Sequence, residues 1–160
     1  MKKTPIAIAF VAATTLGASN VALADSDYEQ SLDRDTLDQM IDQAASDGMA
    51  HFEEFSVDDD DSRIEIEFEG WNDEEWALDL TYDTESGDMI SESRSSTDNT
   101  PWGLEQDQLS SLLDRAGDDG LERFDELDID DGGQIEISGY DADESEMELD
   151  YDASDFQNGQ

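Results

Sequence analysis

The chain has 160 residues, with 46 Asp and Glu against 7 Lys and Arg, one His and no Cys, for a formal charge of −39. So few cations cannot neutralise phosphate, which excludes a nucleic-acid binder and adhesion to an anionic membrane surface. The lack of Cys excludes a disulfide frame, a thiol nucleophile, a thiolate metal site and a lipid-modified cysteine.

Lys2 and Lys3, the apolar run from Ile6 to Leu16 and the close Ala22-Leu23-Ala24 read as a secretory signal peptide over residues 1–24. The run is too short and too rich in Ala and Thr to span a membrane. The remainder is expected to be periplasmic or secreted, with no membrane insertion after signal cleavage. It keeps every acid but only Arg34, Arg63, Arg94, Arg115 and Arg123 as bases. Arg without Lys, among so many carboxylates, fits a surface adapted to brine, where the screening length falls to about 3 Å near 1 M salt. A charge run is first of all a solvated face; cation binding and DNA mimicry are the sharper alternatives.

Leu37, Met40, Ile41 and Ala44 fall at i, i+3, i+4 and i+7, the stripe of an amphipathic helix. Asp33 or Asp35 suits its N-cap, and Gly48 suits its C-terminal left-handed position. Ile64, Ile66 and Phe68 then alternate with Glu65, Glu67 and Glu69, the pattern of a strand with one dry and one wet face. Trp76, Leu78, Leu80 and Tyr82 share parity in a further strand, which places Trp76 in the core. Asp58 to Ser62 reads as a hairpin turn, and Ser91 to Thr100, polar and weakly patterned, reads as a linker.

The same order then returns. Leu109, Leu112, Leu113, Ala116, Gly120, Leu121, Phe124, Leu127 and Ile129 follow the spacing of Leu37, Met40, Ile41, Ala44, Gly48, Met49, Phe52, Phe55 and Val57. Ile135 and Ile137 answer Ile64 and Ile66. Gly139, Tyr140, Met147, Leu149, Tyr151 and Asp152 answer Gly70, Trp71, Leu78, Leu80, Tyr82 and Asp83. An offset that is constant over the first set and slightly shorter over the later ones points to duplication. Asp130 to Gly133 is the matching turn. The expected fold is α+β, two tandem repeats, each one helix followed by an antiparallel sheet packed on it. The expected bounds are 25–94 for the first repeat, 95–103 for a linker and 104–160 for the second. Halves this small hold a marginal core alone and are expected to lean on each other.

A helix with Ala and a terminal Gly, then Phe52 and Phe55, a hairpin, and a strand ending in Tyr82-Asp83 with Gly87 and Ile90 beyond resembles the PepSY domain. That domain occurs in propeptides of secreted metallopeptidases and in bacterial envelope proteins. The stretch Asp83-Thr84-Glu85-Ser86-Gly87-Asp88-Met89-Ile90 fits its closing turn and strand. The second half departs after Asp152, where neither Gly nor an aliphatic strand follows in Ala153 to Gln160, so its final strand is expected to be missing or frayed. The resemblance implies binding rather than catalysis: a module that regulates or inhibits a peptidase or envelope protein through a protein or peptide partner.

The search for chemistry agrees with a non-enzyme. His51 is the single histidine, and its counterpart in the other half is Arg123, so a catalytic or metal role would be absent from its own duplicate. No Ser sits in a Gly-x-Ser-x-Gly elbow. Asp128, Asp130, Gly133 and Ile135 imitate part of a calcium loop, but Gly132 and Gly139 stand where two ligands belong, and a carboxylate-rich turn is the better reading. No cofactor is expected. Divalent-cation (calcium) binding remains the alternative function. For partner contact the aromatics are the best candidates, Trp71 first, with Tyr140 as its counterpart. Trp102, in the linker, is placed to wedge the halves together.

Overall fold

In the computed structural model, residues 26–60, 63–96 and 100–157 are described. The segment expected to be a signal peptide, residues 1–24, lies outside them, as do residues 61 and 62 of the expected first hairpin turn. The order is α1 (Ser26–Gln30), β1 (Leu32–Asp33), α2 (Arg34–Ser46), β2 (His51–Asp60), β3 (Arg63–Trp71), β4 (Trp76–Asp83), β5 (Met89–Ser96), α3 (Gln106–Asp118), β6 (Arg123–Ile129), β7 (Gln134–Tyr140), β8 (Glu146–Asp152) and α4 (Ser154–Gln157).

The fold is α+β. Seven strands run β5-β4-β3-β2-β6-β7-β8 in one antiparallel sheet, and β1 adds an eighth by pairing with β6. The junction is β2 against β6, so the two halves of the chain share a single sheet instead of building one each. Leu37, Met40, Ile41 and Ala44 of α2 and Leu109, Leu112, Leu113 and Ala116 of α3 are buried on one face of it. They meet Phe55, Ile66, Phe68, Leu80 and Tyr82 from the first half and Leu127, Ile135 and Ile137 from the second. Arg34 ties the helices together: its guanidinium donates to Asp38 at 2.9 Å within α2 and to Asp114 at 2.7 Å on α3.

Helix ends follow the sequence signals. Asp33 caps α2 by accepting from the Thr36 amide at 2.8 Å. Glu105 and Gln108 form a capping box on α3. Beyond each helix a glycine takes positive φ, +108° at Gly48 and +115° at Gly120. The next amide then turns back, Met49 to the Ala44 carbonyl and Leu121 to that of Ala116, both at 3.0 Å.

Two local arrangements occur once in each half. The strand entering the sheet bulges after Phe52 and after Phe124, and each bulge faces a glycine, Gly70 or Gly139. A Cβ at either glycine would stand 2.0 Å from the His51 carbonyl oxygen or 1.9 Å from that of Arg123, so only glycine admits the bulged backbone. Likewise the C-cap aspartates, Asp47 and Asp119, accept from Tyr82 Oη at 2.9 Å and Tyr151 Oη at 3.0 Å.

Several expectations are corrected. Trp76 is 41% exposed, not core. It has core parity, but as the first residue of β4 it lies opposite Ser96 of the outer strand. Residues 91–96, read as linker, are strand, because β5 keeps its pairing with β4 as far as Ser96. The expected boundary at 94/95 therefore falls within β5. Trp71 is the last residue of β3. The final strand expected to be missing or frayed is not among the described residues, where α4 follows β8.

Candidate functional site

Strand alternation sends every second side chain of the sheet away from α2 and α3, and here many of those positions are acidic. Asp79, Glu69, Glu54, Asp128, Glu136 and Asp150 are successive cross-strand neighbours through β4, β3, β2, β6, β7 and β8. Six carboxylates thus form one unbroken row. The adjoining row, Ser91, Thr81, Glu67, Ser56, Glu126, Ser138 and Glu148, alternates hydroxyl with carboxylate beyond its first two members. That outermost pair is joined by the Thr81–Ser91 hydroxyl hydrogen bond of 2.9 Å.

Such crowding opposes ionisation. Burial first, then the charges of Glu69, Asp128 and Glu126, raise Glu54 above the ordinary glutamate range. Glu67 is raised by burial and by Asp79. Glu136 is raised chiefly by Glu148, then by burial and Asp150. Glu53 is raised by burial and by acidic neighbours, although it accepts from the Trp71 indole N–H at 3.1 Å.

Trp71 and Tyr140 both lie on this face, yet neither ring is available to a partner. Trp71 is 2% exposed and Tyr140 6%. Trp71 is covered by Trp102, with ring centroids 5.2 Å apart. Tyr140 is met edge-on by Tyr28 of α1 at 5.6 Å. The Arg123 guanidinium stacks over Tyr28 at 5.2 Å and donates to Ser31 Oγ at 3.0 Å and to the Ser31 carbonyl, which pins α1 across the sheet. Their parity with the glutamates was readable in the sequence; the segments covering them were not.

Trp102 sits between the halves, as its place in the chain suggested. Its indole N–H donates to the Ile129 carbonyl at 3.1 Å, and Leu104 and Phe52 exchange backbone hydrogen bonds at 2.8 and 2.9 Å. Gly103, at φ +97°, passes so close that a Cβ would stand 2.2 Å from the Phe52 oxygen. A cavity of about 350 Å³ opens there, lined by His51, Trp102, Ile129, Asp130 and Gly133 among others. His51 thus faces a hollow at the seam with acidic companions.

The calcium-like segment is a hairpin. Asp130 Oδ1 accepts from the Gly132 and Gln134 amides at 2.9 and 2.8 Å, so its carboxylate serves its own turn, and Ile135 is buried in the core. Among the described residues, the carboxylates that converge are Glu136, Glu148 and Asp150, with oxygens within 4.8 Å of one another, all on exposed side chains.

The sheet ends differently on its two sides. β8 carries Glu146, Glu148, Asp150 and Asp152, whereas β5, Met-Ile-Ser-Glu-Ser-Arg-Ser-Ser, has one acid and one base and is exposed throughout. Among the described residues, the exposed large apolar side chains, Trp76, Met89 at 38% and Ile90 at 41%, lie on or beside β5. The sequence shows only the start of this edge, at Met89 and Ile90, because the rest of the strand is small and polar.

The family model for the peptidase propeptide and YPEB domain, PepSY, matches residues 7–93. No curated protein and no solved structure matches the chain. No helix among the described residues is long and apolar enough to cross a membrane.

Proposed function

Because the chain belongs to the family of peptidase propeptide and YPEB domains, we propose that it is an exported, non-catalytic binding module that regulates or inhibits a secreted peptidase or an envelope protein. Domains of this family are generally regulatory rather than catalytic. The observation that carries the reading is the sheet face turned away from α2 and α3, with its unbroken row of six carboxylates. A rigid sheet holds those charges in fixed register, which suits recognition of a basic protein surface better than a flexible acidic tail does.

The second half, residues 104–160, is in our reading a shortened copy of the first. The repeated bulge-and-glycine pairs and the repeated tyrosine-to-cap hydrogen bonds support this, since neither is required by a helix-plus-sheet fold as such.

The test is capture from periplasmic and secreted extract at high salt by immobilised residues 25–160, beside an unfolded chain of equal charge. The expected result is one peptidase or envelope protein held by the folded bait alone, with its binding weakened by Glu54→Gln and Asp128→Asn together. Equal capture by the unfolded chain, or turnover of a substrate by the purified protein, overturns the reading. Divalent-cation binding is the second reading, favoured by the convergence of Glu136, Glu148 and Asp150. A calcium isotherm of fixed stoichiometry that survives molar salt would put it first.

A further inference from the structure

We infer that the β5 edge pairs with the β5 edge of a second copy of this chain, joining two sheets into one about a twofold axis. Among the described residues β5 pairs only with β4, so the backbone groups along its outer side await a strand. The opposite edge strand, β8, carries four carboxylates and no base, the kind of charge that discourages pairing. β5 is eight residues long, with no net charge and no proline.

Its sequence specifies the second copy as the occupant. Ser91-Glu92-Ser93-Arg94-Ser95 is self-complementary when read in opposite directions about Ser93. In an antiparallel pair centred there, Glu92 stands opposite Arg94 of the second copy and Arg94 opposite its Glu92. Ser91 then faces Ser95, and Ile90 faces Ser96. Glu92 and Arg94 already form an ion pair within the strand, so both charges lie on the same side. Because Ser96 is itself opposite Trp76, Ile90 of the second copy arrives beside Trp76 on that side, and each covers exposed apolar surface of the other. A basic peptide has no such reason to choose this strand, which offers it no net charge.

Repulsion between two acidic sheets is weakest at this joint. On the side away from α2 and α3, β5 presents Ser91, Ser93 and Ser95, so the carboxylate row stops at Asp79 on β4. Across the paired edges, Asp79 of one copy would lie three strand spacings from that of the other, about 14 Å. That exceeds the screening length of about 8 Å at physiological salt.

This inference does not rest on the peptidase reading. It is tested by sedimentation of residues 25–160 over a range of concentration and salt, with circular dichroism to show that each variant is folded. The wild-type chain is expected to be dimeric and to associate more tightly as salt rises. Arg94→Glu and Glu92→Arg each set like charges opposite one another twice and should weaken the dimer about ten-fold or more. The double exchange Glu92→Arg with Arg94→Glu restores complementarity and should restore the dimer. An equimolar mixture of the two single variants should form the heterodimer. A wild-type chain that stays monomeric at every salt concentration overturns the inference, as does a dimer that neither single reversal weakens.

Discussion

Glu54 and Asp128 stand directly opposite one another where β2 meets β6, so the pairing that joins the two halves of the sheet sets like charge against like. Opposed like charges weaken a sheet by roughly 0.2–1 kcal/mol per pair. Glu54→Gln is therefore expected to stabilise the protein by about 0.5 kcal/mol in dilute buffer. Near 1 M salt, where screening acts over about 3 Å, the gain should vanish. Urea unfolding at both salt concentrations measures it, and the wild-type midpoint should itself rise with salt.

Glutamates in and beside that row set an unusual pH dependence. Glu53, Glu54, Glu67 and Glu136 hold protons more readily folded than unfolded, their folded pKa values lying above the ordinary 4.5. Stability should therefore increase as pH falls from neutrality through that window towards 4.5. Asp33, Asp83, Asp119 and Asp152 behave oppositely. Hydrogen bonds from Thr36, Ser86, Arg115 and Ser154, respectively, hold them below the ordinary 3.8. Their contribution is complete above 3.8 and is lost as pH falls through the folded values. Melting temperatures at constant ionic strength should pass through a maximum in mild acid, and a steady decline from neutrality would refute this.

The two bulge-facing glycines admit a contrasting pair of substitutions. Gly70→Ala and Gly139→Ala each drive a methyl into a paired backbone carbonyl, which has no rotamer by which to move aside. Each should cost about 3 kcal/mol or more. Gly117, in α3, has open space where a Cβ would stand, with nothing within 4 Å, and Gly117→Ala should stabilise by about 0.5 kcal/mol. Chemical denaturation of the three variants decides the order.

The tyrosines at the helix ends report on their caps. Burial, then the bond to Asp119, push the Tyr151 phenol up to about 12. Asp119→Asn removes the neighbouring charge and should return this ionisation towards the ordinary 10.0, seen by ultraviolet titration. Tyr82→Phe breaks the equivalent bond to Asp47 and should cost about 1 kcal/mol in thermal unfolding.

Much of the fold was legible because periodicity tells which residues share a side. The stripes Leu37-Met40-Ile41-Ala44 and Leu109-Leu112-Leu113-Ala116 became the buried helix faces, and Asp33 became the cap. Periodicity does not tell what covers a side. Trp76 has core parity but lies at the start of its strand, beside the exposed β5. Trp71 and Tyr140 have the parity of the glutamates yet are roofed by Trp102 and Tyr28, from distant parts of the chain. β5 was legible only at Met89 and Ile90; its remainder read as linker because a strand exposed on both faces needs no alternation of apolar and polar residues.

The pairing of β1 with β6 places Leu32 beside Phe124 and Asp33 beside Arg123. A ribosome delivers the first of these residues long before the second. Until Arg123 emerges, Ser31 lacks its guanidinium and β2 lacks its neighbour on one side. The opening segment must therefore wait, unpaired, for most of the chain to be made. Contacts so far apart in sequence slow folding, so a nascent chain would stay open until its second half arrived and would lock only then.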